Sequence, residues 1–367
     1  MQQNKQYCNK INTDSILDEF NIKNVKLKNR IVRAATNEHL GTLDGVITDA
    51  YIDVYKNLAD SGVGLIITSH MAIDKMQRAD LTHICINDPE NFEKLKLLTK
   101  EVHKTDSKII CQISYGGYRA LKVAGKKAMT PSAMEETTEM TLGDIDDCIN
   151  NYIKTIKLIK KAGFDGVELH LAHGYLLSEF LDPFYNKRDD LYGGTVENRY
   201  RIVHQILSGI HNLCFDSNFL IIAKIDSTSK SGNPLFLKDQ IEVCKLLEKD
   251  GINAIEVSGC DFRKYKQDTP YFLNNALMIK EMVSVPIILV GGFRNQAQMN
   301  DAISKGIDLI SISRPFIADK NFMEKLRNNQ PSRCISCSKC FDIYKTQFKH
   351  CIFDKEIDLQ LYENFHK

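Results

Sequence analysis

Residues 149–171 read INNYIKTIKLIKKAGFDGVELHL. Ile149, Tyr152, Ile153, Ile156 and Ile159 recur at spacings of three and four, with lysines on the other side, the pattern of a helix with one apolar face. Ala-Gly-Phe-Asp-Gly then breaks the period with glycines suited to a helix end. Residues 166–171 follow as a short run that suits a strand covered on both faces. Outward from this helix–turn–strand unit the same plan recurs. Strand-like runs fall at 30–34, 63–68, 108–114, 166–171, 220–225, 254–258, 286–290 and 309–313. Segments of helical period lie between and after them, near 49–60, 89–105, 149–159, 197–212, 237–249, 273–282, 296–305 and 320–327. Eight strands alternating with eight helices predict an α/β chain folded as a (β/α)8 TIM barrel. An open doubly wound sheet is the rival, and no GxGxxG fingerprint supports it.

The chain has 367 residues, 43% hydrophobic and 26% charged, which excludes collagen, coiled coil and wholesale disorder. Lys+Arg 48 against Asp+Glu 47 leaves a net charge of +1, so no basic surplus points to nucleic acid or an anionic membrane. No run approaches the roughly 18 apolar residues of a membrane span. The polar start MQQNKQYCNKINTD argues against a signal peptide, and a cytoplasmic protein is expected. No linker-like stretch divides the chain, which predicts one barrel over 1–327 and a short tail over 328–367. Eleven cysteines in such a chain read as thiols or metal ligands rather than disulfides. Cys8, Cys85, Cys111, Cys148, Cys214, Cys244 and Cys260 are scattered, whereas Cys334, Cys337, Cys340 and Cys351 crowd the tail.

Barrel sites lie at the C-terminal ends of the strands. The seventh strand ends in Val290-Gly291-Gly292-Phe293 and the eighth in Ser311-Ile312-Ser313-Arg314. Glycines admit an anion close to the backbone and an arginine forks onto its oxygens, so these two loops predict a phosphate site. Gln112 closes the third strand and Lys224 the fifth, a pair suited to a polar, anionic ring system. The fourth strand runs out through Glu168-Leu169-His170-Leu171-Ala172-His173-Gly174-Tyr175. Imidazoles can donate to a carbonyl oxygen and a phenol can donate a proton to carbon. His170 and His173 could also bind metal, but no third ligand stands out beside them.

Residues 170–201, HLAHGYLLSEFLDPFYNKRDDLYGGTVENRYR, closely resemble a signature of the Old Yellow Enzyme family of FMN-dependent oxidoreductases. LKNRIVRAATNE (27–38), VGLIITSH (63–70), Gln112, MTPSAM (129–134), IEVSG (255–259), ILVGGFR (288–294) and ISISRPFIAD (310–319) fall in the family's order. The resemblance implies FMN across the barrel mouth, its phosphate at Gly291, Gly292, Ser313 and Arg314. Ala34, Ala35, Thr36 and Asn37 would run along the ring, with Gln112 at its pyrimidine edge. Lys224, where many relatives have arginine, would face N1 and O2, and His70 takes a usually small position beside the flavin. Asn37 stands where relatives often carry Thr or Cys, and Tyr115 where many have His. The catalytic set implied is His170 and His173, gripping a substrate oxygen, and Tyr175, giving a proton. The implied reaction passes hydride from NAD(P)H through FMN to an activated alkene or similar small-molecule acceptor.

The tail reads CISCSKC from Cys334 to Cys340, with Cys351 following after ten intervening residues. Four thiolates so spaced suit iron–sulfur or zinc. The branch that resembles 2,4-dienoyl-CoA reductase and trimethylamine dehydrogenase implies [4Fe–4S] at Cys334, Cys337, Cys340 and Cys351, feeding electrons to FMN. The chain stops sixteen residues after Cys351, so the nucleotide-binding domains of those relatives are expected to be absent. The alternative is then a flavin/iron–sulfur dehydrogenase or demethylase served by a separate electron-transfer protein. A homo-oligomer is expected.

Overall fold

The computed structural model describes residues 15–120, 127–213, 218–266, 269–341 and 349–354. Cys8 and Cys214 and parts of the tail lie outside them. Eight parallel strands close on themselves: β1 (Ile31–Arg33), β2 (Leu65–Ile67), β3 (Lys108–Ser114), β4 (Gly166–Leu171), β5 (Leu220–Asp226), β6 (Ala254–Ser258), β7 (Ile287–Val290) and β8 (Leu309–Ile312). Each pairs with its neighbours in chain order, and β8 returns to β1 through Ile310↔Ile31, so no edge is left open. The helices outside are α1 (Asp49–Ser61), α2 (Asn91–Val102), α3 (Leu142–Lys161), α4 (Val196–His211), α5 (Phe236–Lys249), α6 (Leu273–Lys280), α7 (Gln296–Ser304) and α8 (Phe322–Arg327). The chain is thus the predicted (β/α)8 barrel.

Local chemistry sets the elements. Thr141 and Asp144 form a reciprocal capping box at the start of α3, and Thr48 and Thr195 cap α1 and α4. The stripe Ile149, Tyr152, Ile156 and Ile159 of α3 is buried in the core between sheet and helices. A second core fills the barrel's N-terminal half, where Leu65, Ile110, Leu220, Ala254 and Leu309 meet Ile22, Val25 and Leu27. Those last three belong to a hairpin, Phe20–Ile22 with Val25–Leu27, that plugs the bottom. The sequence reading had no place for this hairpin. It also had none for the paired segments Ala128–Thr130 and Thr137–Glu139, or for the short helices Leu176–Leu181 and Arg314–Ala318.

The strands also carry an alternation that the run of buried residues hides. Inward positions change from aliphatic at the bottom to polar at the top. In β3 Ile110 gives way to Gln112, and in β4 Glu168 is followed by His170. In β5 Ile222 precedes Lys224 and Asp226, and in β6 Ala254 precedes Glu256 and Ser258. The outward residues between them, such as Val167, Leu169, Ala223 and Val257, pack against the helices. The same period therefore builds a dry base and a polar mouth.

Candidate active site

The mouth opens into a cavity of about 920 Å3, toward the upper end of the usual range for ligand sites. Every cofactor and catalytic candidate lines it: Ala34, Ala35, Thr36, Asn37, His70, Gln112, His170, His173, Tyr175, Lys224, Gly291, Gly292, Ser313 and Arg314. Tyr115, three residues after Gln112, is instead buried in the outer core.

At the floor, Lys224 Nζ lies 2.9 Å from Glu256 Oε2, both groups being almost fully buried. Burial pushes the ammonium down, but Glu256 and Glu168 outweigh it and hold Lys224 above the ordinary lysine value. Burial alone would raise Glu256, yet Lys224 holds it below the ordinary carboxylate value. Glu168 goes well above that value, by burial and then by the nearby Glu256 charge. It accepts from Gln112 Nε2 at 2.5 Å, which fixes that carboxamide. Of the two carboxyls, Glu256 is thus the one favoured to carry the charge that balances the lysine, and Glu168 the one pushed toward its protonated form.

The loop after β1 is stitched down from both sides. Arg33 pairs with Glu38 at 2.6 Å and donates to Thr36 Oγ1 at 2.6 Å, while Thr36 meets Ser313 Oγ at 2.8 Å. Asn37 Nδ2 donates to Asp80 at 2.8 Å. In the loop after β7, Gly291 and Gly292 have φ of 109° and 92°. A Cβ at Gly292 would lie 1.7 Å from the Thr269 carbonyl oxygen, so only glycine permits this backbone course. Arg314 donates to Ser338 Oγ at 3.0 Å and to the Tyr271 hydroxyl at 3.1 Å.

Past β4 the chain turns sharply, His173 with φ 64° and Gly174 with φ 72°. A left-handed histidine costs roughly 1 kcal/mol or more. Two contacts hold it: the His173 N–H donates to Asp226 Oδ2 at 2.6 Å, and Arg119 Nε donates to the His173 carbonyl. Its Nε2 lies 2.9 Å from Ser258 Oγ. The turn throws Tyr175 back over the mouth, its ring 4.7 Å from that of His170 and 4.9 Å from that of His70. Burial holds His170, His173 and His70 well below the ordinary histidine value, and neighbouring cations or histidines add to the effect. They are neutral near pH 7, and His170 Nδ1 has no hydrogen-bond partner among the described residues. Burial also pushes the Asp226 carboxyl up to about 6.

Several residues of this site escaped the sequence reading. Asp226 and Ser258 had a signal, the inward period of two that continues from Lys224 and Glu256. Arg119, His83 and Tyr271 had none; their roles arise from loops meeting. The tail supplies Phe341 and Lys349 to the cavity wall. The Phe341 ring lies 5.2 Å from that of Phe262, with Lys349 Nζ 4.1 Å from its centre.

Cys334, Cys337, Cys340 and Cys351 line a separate small cavity together with Arg314 and Ser338. All are free thiols. Among the described residues, no three His, Cys, Asp or Glu side chains are gathered so as to hold a metal ion, which applies to His170 and His173 as well.

A closed α/β barrel with such a cavity at its strand ends belongs to the barrel enzymes. Within them, the chain belongs to the NADH:flavin oxidoreductase / NADH oxidase family, whose family model matches residues 15–333. That family is one of flavin-linked oxidoreductases. It is 29% identical over 349 residues to an NADH oxidase of Thermoanaerobacter brockii, covering 88% of this chain and 53% of that one. The chain thus spans about half the length of that relative. It is 28% identical over 317 residues to an NADPH dehydrogenase of Clostridium acetobutylicum, with 84% and 93% covered. The Old Yellow Enzyme from Pichia sp. AKU4542 shares the fold, with TM-score 0.76 and 24% identity over 86% of this chain and 87% of that one. Among the described residues no helix is long and apolar enough to cross a membrane.

Proposed function

We propose that the chain binds FMN in the 920 Å3 cavity and reduces an activated alkene or similar acceptor at the expense of NAD(P)H. The observation that carries this reading is the cluster of Tyr175, His170 and His173, neutral and crowded at the mouth, with His170 Nδ1 unpartnered among the described residues. The residues present fit FMN. The glycine-only course at Gly292 and the buried Arg314 suit a phosphate, and Lys224 with Gln112 suits the polar edge of the ring. Bound FMN supplies hydride transfer between the nicotinamide and the acceptor.

The chain's own residues do the rest. His170 and His173 hold the acceptor's carbonyl or nitro oxygen and take up its developing charge by hydrogen bonds. Tyr175 gives its phenolic proton to the carbon next to that activating group. Lys224, anchored by Glu256, would hold a fixed positive charge toward the polar edge of the flavin ring. The test is purification followed by a visible spectrum and anaerobic mixing with NADPH and then cyclohexenone. The expected result is a yellow protein that is bleached by the nicotinamide and recovers colour with the enone. A protein that takes up no FMN on reconstitution overturns the reading.

A second reading concerns the tail. Cys334, Cys337, Cys340 and Cys351 would hold [4Fe–4S], supplying one-electron transfer beside Arg314, which touches both cavities. What favours it is the convergence of four cysteines on one cavity; thiolates of a cluster stand farther apart than the ligands of one ion. The partner would then be an electron-transfer protein, and the barrel over 1–327 with its tail over 328–367 would work as a flavin/iron–sulfur dehydrogenase or demethylase. Anaerobic reconstitution should give about four iron and four sulfide per chain. FMN-loaded protein with neither element removes this reading and leaves the first intact.

A further inference from the structure

We propose that His70 is a positioning residue for the proton of Tyr175, gripping the phenol oxygen from behind so that its hydrogen turns into the cavity. This rests on the reading of Tyr175 as proton donor. His70 follows β2 and is 9% exposed. Its Nδ1 lies 2.9 Å from Ser114 Oγ at the end of β3, and its Nε2 lies 3.4 Å from the Tyr175 hydroxyl. The second contact is long, as such bonds often are before substrate closes a site. The His83 ring packs on the other side of His70 at 4.1 Å. His83 Nδ1 accepts from the Ala79 N–H at 2.9 Å, which orients that ring in turn.

The hydrogen-bond inventory sets the tautomer. Ser114 is fully buried, and its hydroxyl has no other partner among the described residues. If it only accepted from His70, its own hydrogen would be stranded in the core. Donating to Nδ1 satisfies it and leaves the imidazole hydrogen on Nε2. Nε2–H then donates to the Tyr175 oxygen. The phenol's hydrogen cannot point back along that bond, so it is directed toward the acceptor.

During the step the Tyr175 O–H bond breaks and a C–H bond forms at the acceptor's α-carbon, its electron pair being the former C=C π pair that hydride addition at the β-carbon displaces toward the activating group. The phenolate left behind carries the charge, and the bond from Nε2–H strengthens as that charge develops. Water entering as product leaves returns the proton. His170 also packs against Tyr175, its ring 6.1 Å from that of His70, so the two imidazoles flank the phenol from adjacent directions and one of them holds its oxygen.

The experiment is a double-mutant cycle on enone reduction, measured as the single-turnover rate of reduced enzyme with cyclohexenone. His70→Leu is expected to slow this step about tenfold. In the Tyr175→Phe background the same change should cost nothing more, because the hydrogen it positions is gone. His70→Gln, whose carboxamide keeps a donor at similar reach, should recover most of the rate. It also serves as the reporter if His70→Leu fails to fold. A full loss in the Tyr175→Phe background, equal loss in His70→Gln and His70→Leu, or no loss in either, overturns the proposal. Tyr175→Phe itself reacting as fast as wild type would instead remove the proton-donor reading, and this inference with it.

Discussion

At the scale of single residues, the site works by burial. His170, His173 and His70 stay neutral because their rings are buried, with Lys224 and Arg119 adding to the effect at His170 and His173 and His83 at His70, so they act as hydrogen-bonding groups rather than charges. Tyr175→Phe is expected to slow acceptor reduction by about 10²- to 10⁴-fold while bleaching by NADPH stays within a few-fold of wild type. Stopped-flow traces of the two half-reactions check this, and equal loss in both would sink the assigned role. Asp226 holds the strained His173 backbone, and its carboxyl titrates near 6. Above that pH it is an anion bonded to the His173 N–H; below it the acceptor weakens. An acid limb with a midpoint near pH 6 is therefore expected in kcat/KM for the enone. Asp226→Asn, which keeps an acceptor oxygen but cannot titrate, should flatten that limb.

At the scale of elements, the short helix Leu176–Leu181 matters beyond its length. It drives Glu179 into the protein beneath the loop 116–119, where Oε1 accepts the Tyr118 N–H at 2.8 Å. Burial pushes this carboxyl up to about 8, against an ordinary value of 4.5. The folded state then binds a proton that the unfolded chain releases between those limits, so stability falls as pH rises through the interval. Between pH 6 and 8 this amounts to about 2 kcal/mol. Urea unfolding at the two pH values should show the loss in wild type and a much smaller one in Glu179→Gln. An unchanged slope would remove Glu179 as its source. The strands themselves were legible as strands, because β-branched runs between helical stretches are a local signal. Their inward polar faces were less so. Glu168, Lys224 and Glu256 interrupt otherwise apolar runs, and the significance of each depends on the partner across the barrel.

At the scale of the whole molecule, the tail braces the expected phosphate site. Arg294 donates to the Cys334 carbonyl at 2.8 Å and to Ser336 Oγ, and Arg314 donates to Ser338 Oγ at 3.0 Å. The cysteine segment thus fixes two guanidinium groups that line the main cavity. Removing both hydroxyls in Ser336→Ala/Ser338→Ala deletes bonds contributing about 1 kcal/mol each, so FMN should bind up to roughly thirtyfold more weakly. Fluorescence titration showing unchanged affinity would mean that the arginines hold their places without the tail.

By itself the sequence determined the barrel, the approximate ends of its strands and a set of candidate groups that line its mouth. Those features depend on short-range periodicity and on a rule of the fold that places function at strand C-termini. It also marked the four tail cysteines by their spacing. Only the tertiary structure decided how these groups act on one another. The proton balance of Lys224, Glu256 and Glu168 depends on three strands meeting across a dry interior, where charge interactions are strong. The clamp of His70, Ser114 and Tyr175 joins residues 105 positions apart in the chain. Such contacts leave no local pattern, because the spacing between their members is set by the closure of the barrel and not by the period of any one element.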